Sequence, residues 1–443
     1  MDLSALIESR RNAHALPGLA AAVLREGRVE LQAGFGKRDA AGAPVTAETR
    51  FPLASCTKTF TAAAVAAQVK AGRLCWRDRI RDVLPEFALA GGAGDTLTLW
   101  DAITHRGPLP PHTWAWVYGE LDRSTWIRRR LPHLALFEKK EEPHRYSNIL
   151  YAVLGEVVER VSGRPFEEHV VESLLRPAGM TRTGFLTENW LEADPDTAAP
   201  FRREAGGAVA LPAFHAAERH LINPASEMIG TVADAARWLE DRLRNVELLP
   251  EGLEACLVNP KRPHPSLGEL RYGCGWRMET FQGELHAFHT GQCTGYTCVF
   301  GLLPRRGIAM AILSNADGAV DAVQDVAYRV MGTLAGLEPP DAWPGFETGP
   351  PKPVRTGLRV AAEGVFPEGV YANEGYGELE FVKIDGRLHA HLQGRLISAG
   401  LDAEGAPHIE LPAYRARFPV TREGGALLIP FELAVPPIRF GRV

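Results

Sequence analysis

Ser55 and Lys58 are the first residues whose types and spacing could do chemistry. They lie in the apolar stretch of residues 51–58, and the residues that follow, up to Ala71, are good helix formers that end at Gly72. Ser55 would then stand at a helix start with Lys58 one turn further on the same face. A helix N-terminus favours a developing alkoxide, and a desolvated amine can act as its base. The alternative is an N-capping serine beside a surface lysine, but a solvated lysine would not need apolar surroundings.

Two further triplets follow in the chain. Tyr-x-Asn at residues 146–148 precedes an apolar helical stretch, and His-Thr-Gly at 289–291 precedes a hairpin of two apolar strands. Each triplet is weak alone, because Tyr-x-Asn recurs at 371–373 and His-x-Gly at 105–107. The prediction that they form one site rests on the order of the three patterns and on their contexts: a helix start, a loop before a helix, and a strand.

Other common sites are missing from the sequence. It contains no GxSxG elbow, HExxH helix, phosphate-binding loop or dinucleotide fingerprint. The 14 histidines do not occur together with other zinc ligands at the spacing of a zinc site. His389 and His391 share one strand face, but such a pair is more typical of a surface. The sequence therefore predicts neither a metal nor a cofactor.

Composition and charge argue against several classes of protein. The 443 residues have a net charge of −5 and no long run of like charge, which argues against a nucleic-acid partner. No segment approaches the about 20 apolar residues that span a bilayer, so no membrane partner is expected. The charged N-terminus reads as an amphipathic helix rather than a signal peptide, and the six cysteines form no disulfide framework. These features predict a cytoplasmic protein; they do not define its oligomeric state.

The elements that must position these residues form a mixed pattern up to residue 337. Strands are predicted at 20–24 and 29–33, a hairpin at 298–303 and 308–313, and helices after Ser55, after Ser147, at 231–243 and at 320–334. Strands at both ends with helices between them predict an α+β fold, in which one antiparallel sheet is flanked by helices and carries a helical insertion.

The C-terminal part of the chain has a different residue pattern from the part before it. Residues 338–359 are rich in proline and predict a linker, because neither a helix nor a central strand tolerates that density. Residues 360–443 show short alternating segments with turn signals, among them Asp385-Gly386 between two strands. This pattern predicts a small antiparallel barrel or sandwich.

The chain resembles the serine β-lactamase and penicillin-binding-protein-like superfamily, whose SxxK, YxN and K/HxG elements match the three patterns in order. The resemblance covers about residues 15–335 and includes the segments 97–105 and 272–276. The tail is similar to the small, lipocalin-like β-barrel of some members. The resemblance places Tyr371 in the barrel and His105 in the helical insertion, which removes both as competitors of the site triplets.

The resemblance implies a role for each matching residue. Ser55 would be the nucleophile that forms an acyl-enzyme, Lys58 would keep its hydroxyl basic, and Tyr146 would be the general acid or base. Asn148 would bind the amide side chain of the substrate. The sheet edge of the cleft would be lined by His289, Thr290 and Gly291, and the backbone N–H groups of Ser55 and Gln292 would form the oxyanion hole.

His289 stands where many members have lysine. A histidine of ordinary pKa is mostly neutral at pH 7, so a carboxylate would be bound more weakly than by a fixed positive charge. The prediction is a serine hydrolase for amide or ester bonds, acting on a small molecule or short peptide in the manner of a D-aminopeptidase or an esterase. The alternatives are a β-lactamase or DD-carboxypeptidase, and a catalytically silent penicillin-binding or ligand-sensing protein.

Overall fold

The structure of the chain is a computed structural model. It describes residues 2–117, 121–137, 144–187, 189–204, 207–212, 221–245, 249–259, 267–337, 366–384, 387–402, 404–411 and 416–443. The helices are α1 Leu3–Ala13, α2 Thr57–Lys70, α3 Ile80–Val83, α4 Leu99–Ile103, α5 Thr113–Trp116, α6 Arg123–Arg129, α7 Asn148–Ser162, α8 Phe166–Val170, α9 Asn223–Ser226, α10 Val232–Asn245 and α11 Val320–Leu334. No helix of these described stretches is both long and apolar enough to span a membrane.

The strands fall into a central sheet, two small sheets and a C-terminal barrel. Those before the barrel are β1 Gly18–Arg25, β2 Arg28–Gly36, β3 Phe51–Pro52, β4 Gly184–Phe185, β5 Phe201–Glu204, β6 Gly207–Ala210, β7 Met228–Gly230, β8 Cys256–Asn259, β9 Leu270–Gly273, β10 Trp276–Phe281, β11 Glu284–Cys293, β12 Tyr296–Leu303, β13 Ile308–Ser314 and β14 Ala316–Asp317. The strands of the barrel are β15 Gly369–Asn373, β16 Gly377–Ile384, β17 Arg387–Leu392, β18 Arg395–Leu401, β19 Pro407–Leu411, β20 Ala416–Pro419, β21 Thr421–Glu423, β22 Ala426–Ile429 and β23 Ile438–Arg442.

The central sheet has eight antiparallel strands in the order β2-β1-β13-β12-β11-β10-β9-β8. Strand β13 is apolar up to its last residue, Ser314, and buried along its whole length, as expected of a strand covered on both faces. Helices α1 and α11 pack with one set of its side chains, while α2, α7 and α10 belong to the core on the other side. The predicted antiparallel sheet flanked by helices is confirmed, and so are its terminal hairpin and the helix at 320–334.

The C-terminal strands form a nearly closed, nine-stranded antiparallel barrel in the order β20-β19-β18-β17-β16-β15-β23-β22-β21. Aromatic and aliphatic side chains fill its interior, with Tyr371, Phe381 and Phe440 at most 1% exposed. The predicted hairpin partners β16 and β17 pair with each other, although Asp385-Gly386 itself lies outside the described residues. The proline-rich segment 338–359 also lies outside them.

Candidate active site

Ser55 lies in a short 3-10 turn, Ala54–Cys56, that leads directly into α2. Ala54 has a left-handed backbone with φ of +44°, which is unusual for a residue with a side chain. The turn lies against β11 at Gly291, where a Cβ atom would stand 2.5 Å from the Leu53 carbonyl oxygen and 3.1 Å from the Ala54 Cβ. Glycine is therefore needed at this point of the His-Thr-Gly pattern because the turn that contains Ser55 approaches the strand too closely for a side chain.

Lys58 is fully buried one helical turn after Ser55. Its Nζ lies 3.2 Å from Ser55 Oγ, 2.7 Å from Asn148 Oδ1 and 2.8 Å from the Ala225 carbonyl oxygen. Burial lowers the pKa of Lys58 well below its usual value, which favours the neutral amine. Two of these partners are carbonyl oxygens that can only accept, so they take the two N–H groups of a neutral amine. Its lone pair is then left for the proton of Ser55.

The Ala225 carbonyl oxygen is a hydrogen-bond partner of Lys58 that no motif in the sequence indicated. It belongs to α9, which is held against α2 because Thr61 Oγ1 donates to the Pro224 carbonyl oxygen over 2.5 Å. On the other side α9 lies so close to α7 that a Cβ atom on Gly155 would stand 2.1 Å from Pro224 Cγ. The close approach of three helices thus brings a backbone oxygen to the amine of Lys58.

Tyr146 completes the group around the serine hydroxyl. Its side chain hydrogen-bonds Ser55, and the ring centroid lies 4.7 Å from Lys58 Nζ. Burial raises the pKa of Tyr146 to about 12, although its bond to Ser55 works in the opposite direction. Tyr146 therefore carries its proton at neutral pH, whereas the amine of Lys58 is poised to accept one.

Asn148 is the first residue of α7, which Ser147 caps by accepting from the Leu150 N–H. Because Asn148 Oδ1 accepts from Lys58, its Nδ2 is the group that remains for a substrate. Among the described residues no acceptor binds this nitrogen. The Tyr-x-Asn pattern thus supplies a proton donor at Tyr146 and an amide donor at Asn148, both next to Lys58.

His289, in β11, is 1% exposed, so its ring is packed inside the protein. The Nδ1 atom donates to the Thr290 carbonyl oxygen at 2.8 Å, and Nε2 accepts from the Tyr272 hydroxyl at 3.0 Å. Burial lowers the pKa of His289 well below its usual value, so the ring carries no charge at pH 7. Of the predicted strand residues, Thr290 is half-buried and Gln292 is exposed.

One edge of β11 is open beside the nucleophile. Strand β10 pairs with β11 only as far as Phe288, opposite Arg277, whereas β12 continues along the other edge to Cys293. Residues 289–293 therefore have a strand partner on one side only, within the part of the chain that the structure describes. This edge can accommodate an extended substrate next to Ser55.

Arg277 is a charged residue of the site that the sequence analysis missed. It is half-buried in β10, and its guanidinium carbon lies 5.9 Å from the ring centroid of Tyr146. Its charge contributes to lowering the pKa of Lys58, of His289 and of His144, the last to about 4, after the larger effect of burial. No carboxylate of the described residues forms an ion pair with it. A lone arginine on a strand has no motif, so the sequence contained no signal for it.

The two candidate metal-binding histidines lie far along the chain from this group. His389 and His391 are both in β17 of the barrel, and His391 Nδ1 is 3.6 Å from a Glu380 carboxylate oxygen. Within the described ranges, no three His, Cys, Asp or Glu side chains come together as a metal site would require. The described site consists of hydroxyl, amine, amide and guanidinium groups.

The fold and this arrangement define a class of protein. Residues 3–334 match the family model "Beta-lactamase", which covers most of the chain, so the protein belongs to the β-lactamase family. Among curated relatives, the Protein flp of Staphylococcus aureus strain COL is 24% identical over 323 residues, which are 71% of this chain and 62% of the relative. The chain thus spans less than two thirds of the length of the curated relatives it matches.

Solved structures share the fold at low sequence identity. A penicillin-binding protein homologue from Pyrococcus abyssi, described as octameric, is 23% identical with a TM-score of 0.66 and aligns with 99% of this chain and 100% of its own. A D-amino acid amidase from Ochrobactrum anthropi is 18% identical with a TM-score of 0.61, covering 75% of this chain and 98% of its own. The first similarity extends over nearly the whole chain, the C-terminal barrel included.

Proposed function

We propose that this protein is a serine hydrolase that cleaves amide or ester bonds of small molecules and short peptides through an acyl-Ser55 intermediate. The observation that carries the proposal is the contact set of Lys58, whose two acceptor-only partners leave one lone pair for the Ser55 hydroxyl. A buried neutral amine is a competent base, and the position of Ser55 before α2 favours the alkoxide.

Acylation would proceed with each proton accounted for. Lys58 takes the proton of Ser55 Oγ while that oxygen bonds to the substrate carbonyl carbon, and the backbone N–H groups of Ser55 and Gln292 bind the oxyanion. Tyr146 gives its proton to the leaving nitrogen or oxygen as that bond breaks, and the proton on Lys58 then restores Tyr146. In deacylation a water molecule attacks the ester carbonyl carbon, and its proton moves to Tyr146 as the Tyr146 proton moves to Lys58. Lys58 then returns one proton, through the same contact, to Ser55 Oγ as the bond between that oxygen and the acyl carbon breaks.

Small amides, D-aminoacyl compounds among them, are the substrates we favour. Asn148 Nδ2 and the open edge of β11 offer hydrogen bonds to the amide groups of an extended substrate. One protein of similar fold is a D-amino acid amidase. Neutral His289 adds no positive charge here, so it does not call for a carboxylate on the substrate.

The decisive test compares p-nitrophenyl esters, D- and L-aminoacyl anilides and nitrocefin, with the Ser55→Ala protein as the blank. Turnover of a D-aminoacyl anilide or an ester, together with an acyl adduct on Ser55 in the mass spectrum of quenched protein, supports the proposal. An adduct that forms once and is never released would instead identify a silent penicillin-binding or ligand-sensing protein. No adduct with any member of the panel would refute acyl-Ser55 chemistry.

A second candidate function is favoured by Arg277. This guanidinium has no carboxylate partner in the described residues and lies beside Tyr146, where it could bind a substrate carboxylate in place of the lysine of other members. A β-lactam or a peptide ending in a free carboxylate carries such a group. Its hydrolysis would make the protein a β-lactamase or DD-carboxypeptidase.

We expect Arg277→Ala to separate the two functions. A hydrogen bond to a charged group is worth about 1.5–3 kcal/mol, so removing it should lower kcat/KM for nitrocefin by roughly 10- to 100-fold if the carboxylate binds there. The value for p-nitrophenyl butyrate should change less than threefold, and Arg277→Lys should restore part of the loss. Arg271→Ala is the control, because Arg271 is exposed on β9 and paired with Glu269. Equal losses on both substrates would show that Arg277 supports the structure of the site.

The pH profile should reflect Lys58 on its acid limb. The neutral amine is the active form, so kcat/KM for p-nitrophenyl butyrate should rise as pH increases through the lowered pKa of Lys58 and then level off. Because the pKa of Tyr146 is about 12, no fall is expected up to pH 10. Rates are measured from pH 5 to 10 after subtraction of the Ser55→Ala blank. An alkaline limb below pH 9 would contradict the assignment of Tyr146 as the proton donor.

A further inference from the structure

His105 holds the backbone of Tyr146 from both sides. Its carbonyl oxygen accepts from the Arg145 N–H at 2.8 Å, and its Nδ1 accepts from the Ser147 N–H at 3.2 Å. The ring is fully buried and lies 4.5 Å, centroid to centroid, from the ring of Tyr146. The position of Tyr146 relative to Ser55 is therefore set by where His105 stands.

His112 is held by the barrel at the other end of the same segment. Its Nε2 donates to the Ala135 carbonyl oxygen at 2.7 Å, so Nδ1 is the acceptor for the Tyr376 hydroxyl, also at 2.7 Å. Its backbone N–H donates to Glu432 Oε2 at 3.3 Å. Tyr376 and Glu432 both belong to the barrel, whereas Ala135 belongs to the catalytic part of the chain.

The segment between the two histidines, residues 105–112, is stiff. Three of its residues are prolines, at 108, 110 and 111, which fix φ and remove conformational freedom. Both histidines have left-handed backbones, with φ of +58° and +41°, and are fully buried. At Gly107 the segment also presses on α7, where a Cβ atom would stand 3.0 Å from Leu150 Cδ1. Because this segment has little freedom to bend, a displacement of His112 would also displace His105.

We infer that the barrel positions Tyr146 through the segment 105–112, and that His112 is a positioning residue of the active site, anchored by Tyr376. This inference rests on the proposed acyl-Ser55 chemistry for its kinetic consequences. Its structural content is independent of that chemistry, because it states that a hydroxyl in the barrel helps to order the backbone around Tyr146.

The test is Tyr376→Phe, which removes only the hydroxyl that binds His112. We expect kcat for p-nitrophenyl butyrate to fall by roughly tenfold, since small misplacements of a catalytic group are costly, while KM changes less than twofold. The matched control is Tyr371→Phe in the same barrel, because Tyr371 is equally buried and, among the described residues, its hydroxyl contacts only the Pro367 carbonyl oxygen, at 3.5 Å. The control should leave kcat unchanged.

A second arm shows whether the effect passes through Tyr146. In a Tyr146→Phe background, Tyr376→Phe should lower kcat no further, because the group that it positions is already gone. Loss of active protein through poor folding would lower kcat by the same factor in both backgrounds. That result, or an unchanged kcat in the single variant, would overturn the inference.

Hydrogen exchange provides a readout that does not depend on activity. The Arg145 and Ser147 amides bind His105, so peptides containing residues 145–147 should exchange faster in Tyr376→Phe than in Tyr371→Phe. Faster exchange with no acyl adduct in the wild-type protein would uphold the positioning role and refute the proposed function. Unchanged exchange would refute the positioning role whatever the chemistry of Ser55.

Discussion

Ser55→Ala, Lys58→Met and the double variant are all expected to lower kcat to the same level, a loss of roughly 10⁴- to 10⁶-fold. In the proposed mechanism the serine forms the bond to the substrate and the lysine removes the serine proton, so neither works alone and their losses do not add. The measurement is kcat for p-nitrophenyl butyrate, with the fold monitored by circular dichroism. Intact mass should show no acyl adduct for Ser55→Ala and at most slow labelling for Lys58→Met.

The control for the lysine variant lies on the same helix. Lys70→Met removes an ammonium from the other end of α2, where the side chain is exposed, and should leave kcat within twofold of the wild type. If Lys58→Met retained near-normal kcat, the lysine would not be the base. The contacts with Asn148 and Ala225 would then serve only to hold α2, α7 and α9 together.

Tyr146→Phe carries the second large expected effect, a fall in kcat of roughly 10²- to 10⁴-fold. The phenyl ring can remain packed on His105, so the loss should come from the missing proton donor rather than from the fold. An anilide has a poor leaving group that must be protonated, whereas p-nitrophenolate depends less on a proton donor. The loss should therefore be larger for a D-aminoacyl anilide than for p-nitrophenyl butyrate.

Tyr151→Phe is the matched control for this variant. Tyr151 is also buried near Lys58, but its hydroxyl donates to the Ile103 carbonyl oxygen over 3.0 Å and contacts neither Ser55 nor Lys58 Nζ. Removal of the Tyr151 hydroxyl should lower the thermal stability of the protein and leave kcat nearly unchanged. A loss under threefold for Tyr146→Phe, or the same loss for anilide and ester, would reduce Tyr146 to a packing residue.

The main elements around the site could be predicted because their signals are local. The apolar periodicity of residues 320–334 defines α11, Gly72 follows the end of α2 with a left-handed backbone, and the apolar hairpin before α11 became β12 and β13. The three patterns also lie where their contexts indicated: the turn before α2, the start of α7, and β11. A turn or a helix start requires particular residue types, so its position can be recognised in the sequence.

The sequence by itself thus determined the family, the sheet with its helices, and the identity of Ser55, Lys58 and Tyr146 as the candidate catalytic group. Only the tertiary structure decided the hydrogen-bond partners of these groups and the direction in which their pKa values shift. One of the two acceptors of Lys58 is the Ala225 carbonyl oxygen, and a backbone oxygen has no residue type to recognise. The burial of His289 and the approach of Arg277 to Tyr146 arise from strand pairing between distant segments. Because burial and nearby charges set a pKa, the proposed roles of base and acid rest on packing, not on spacing along the chain.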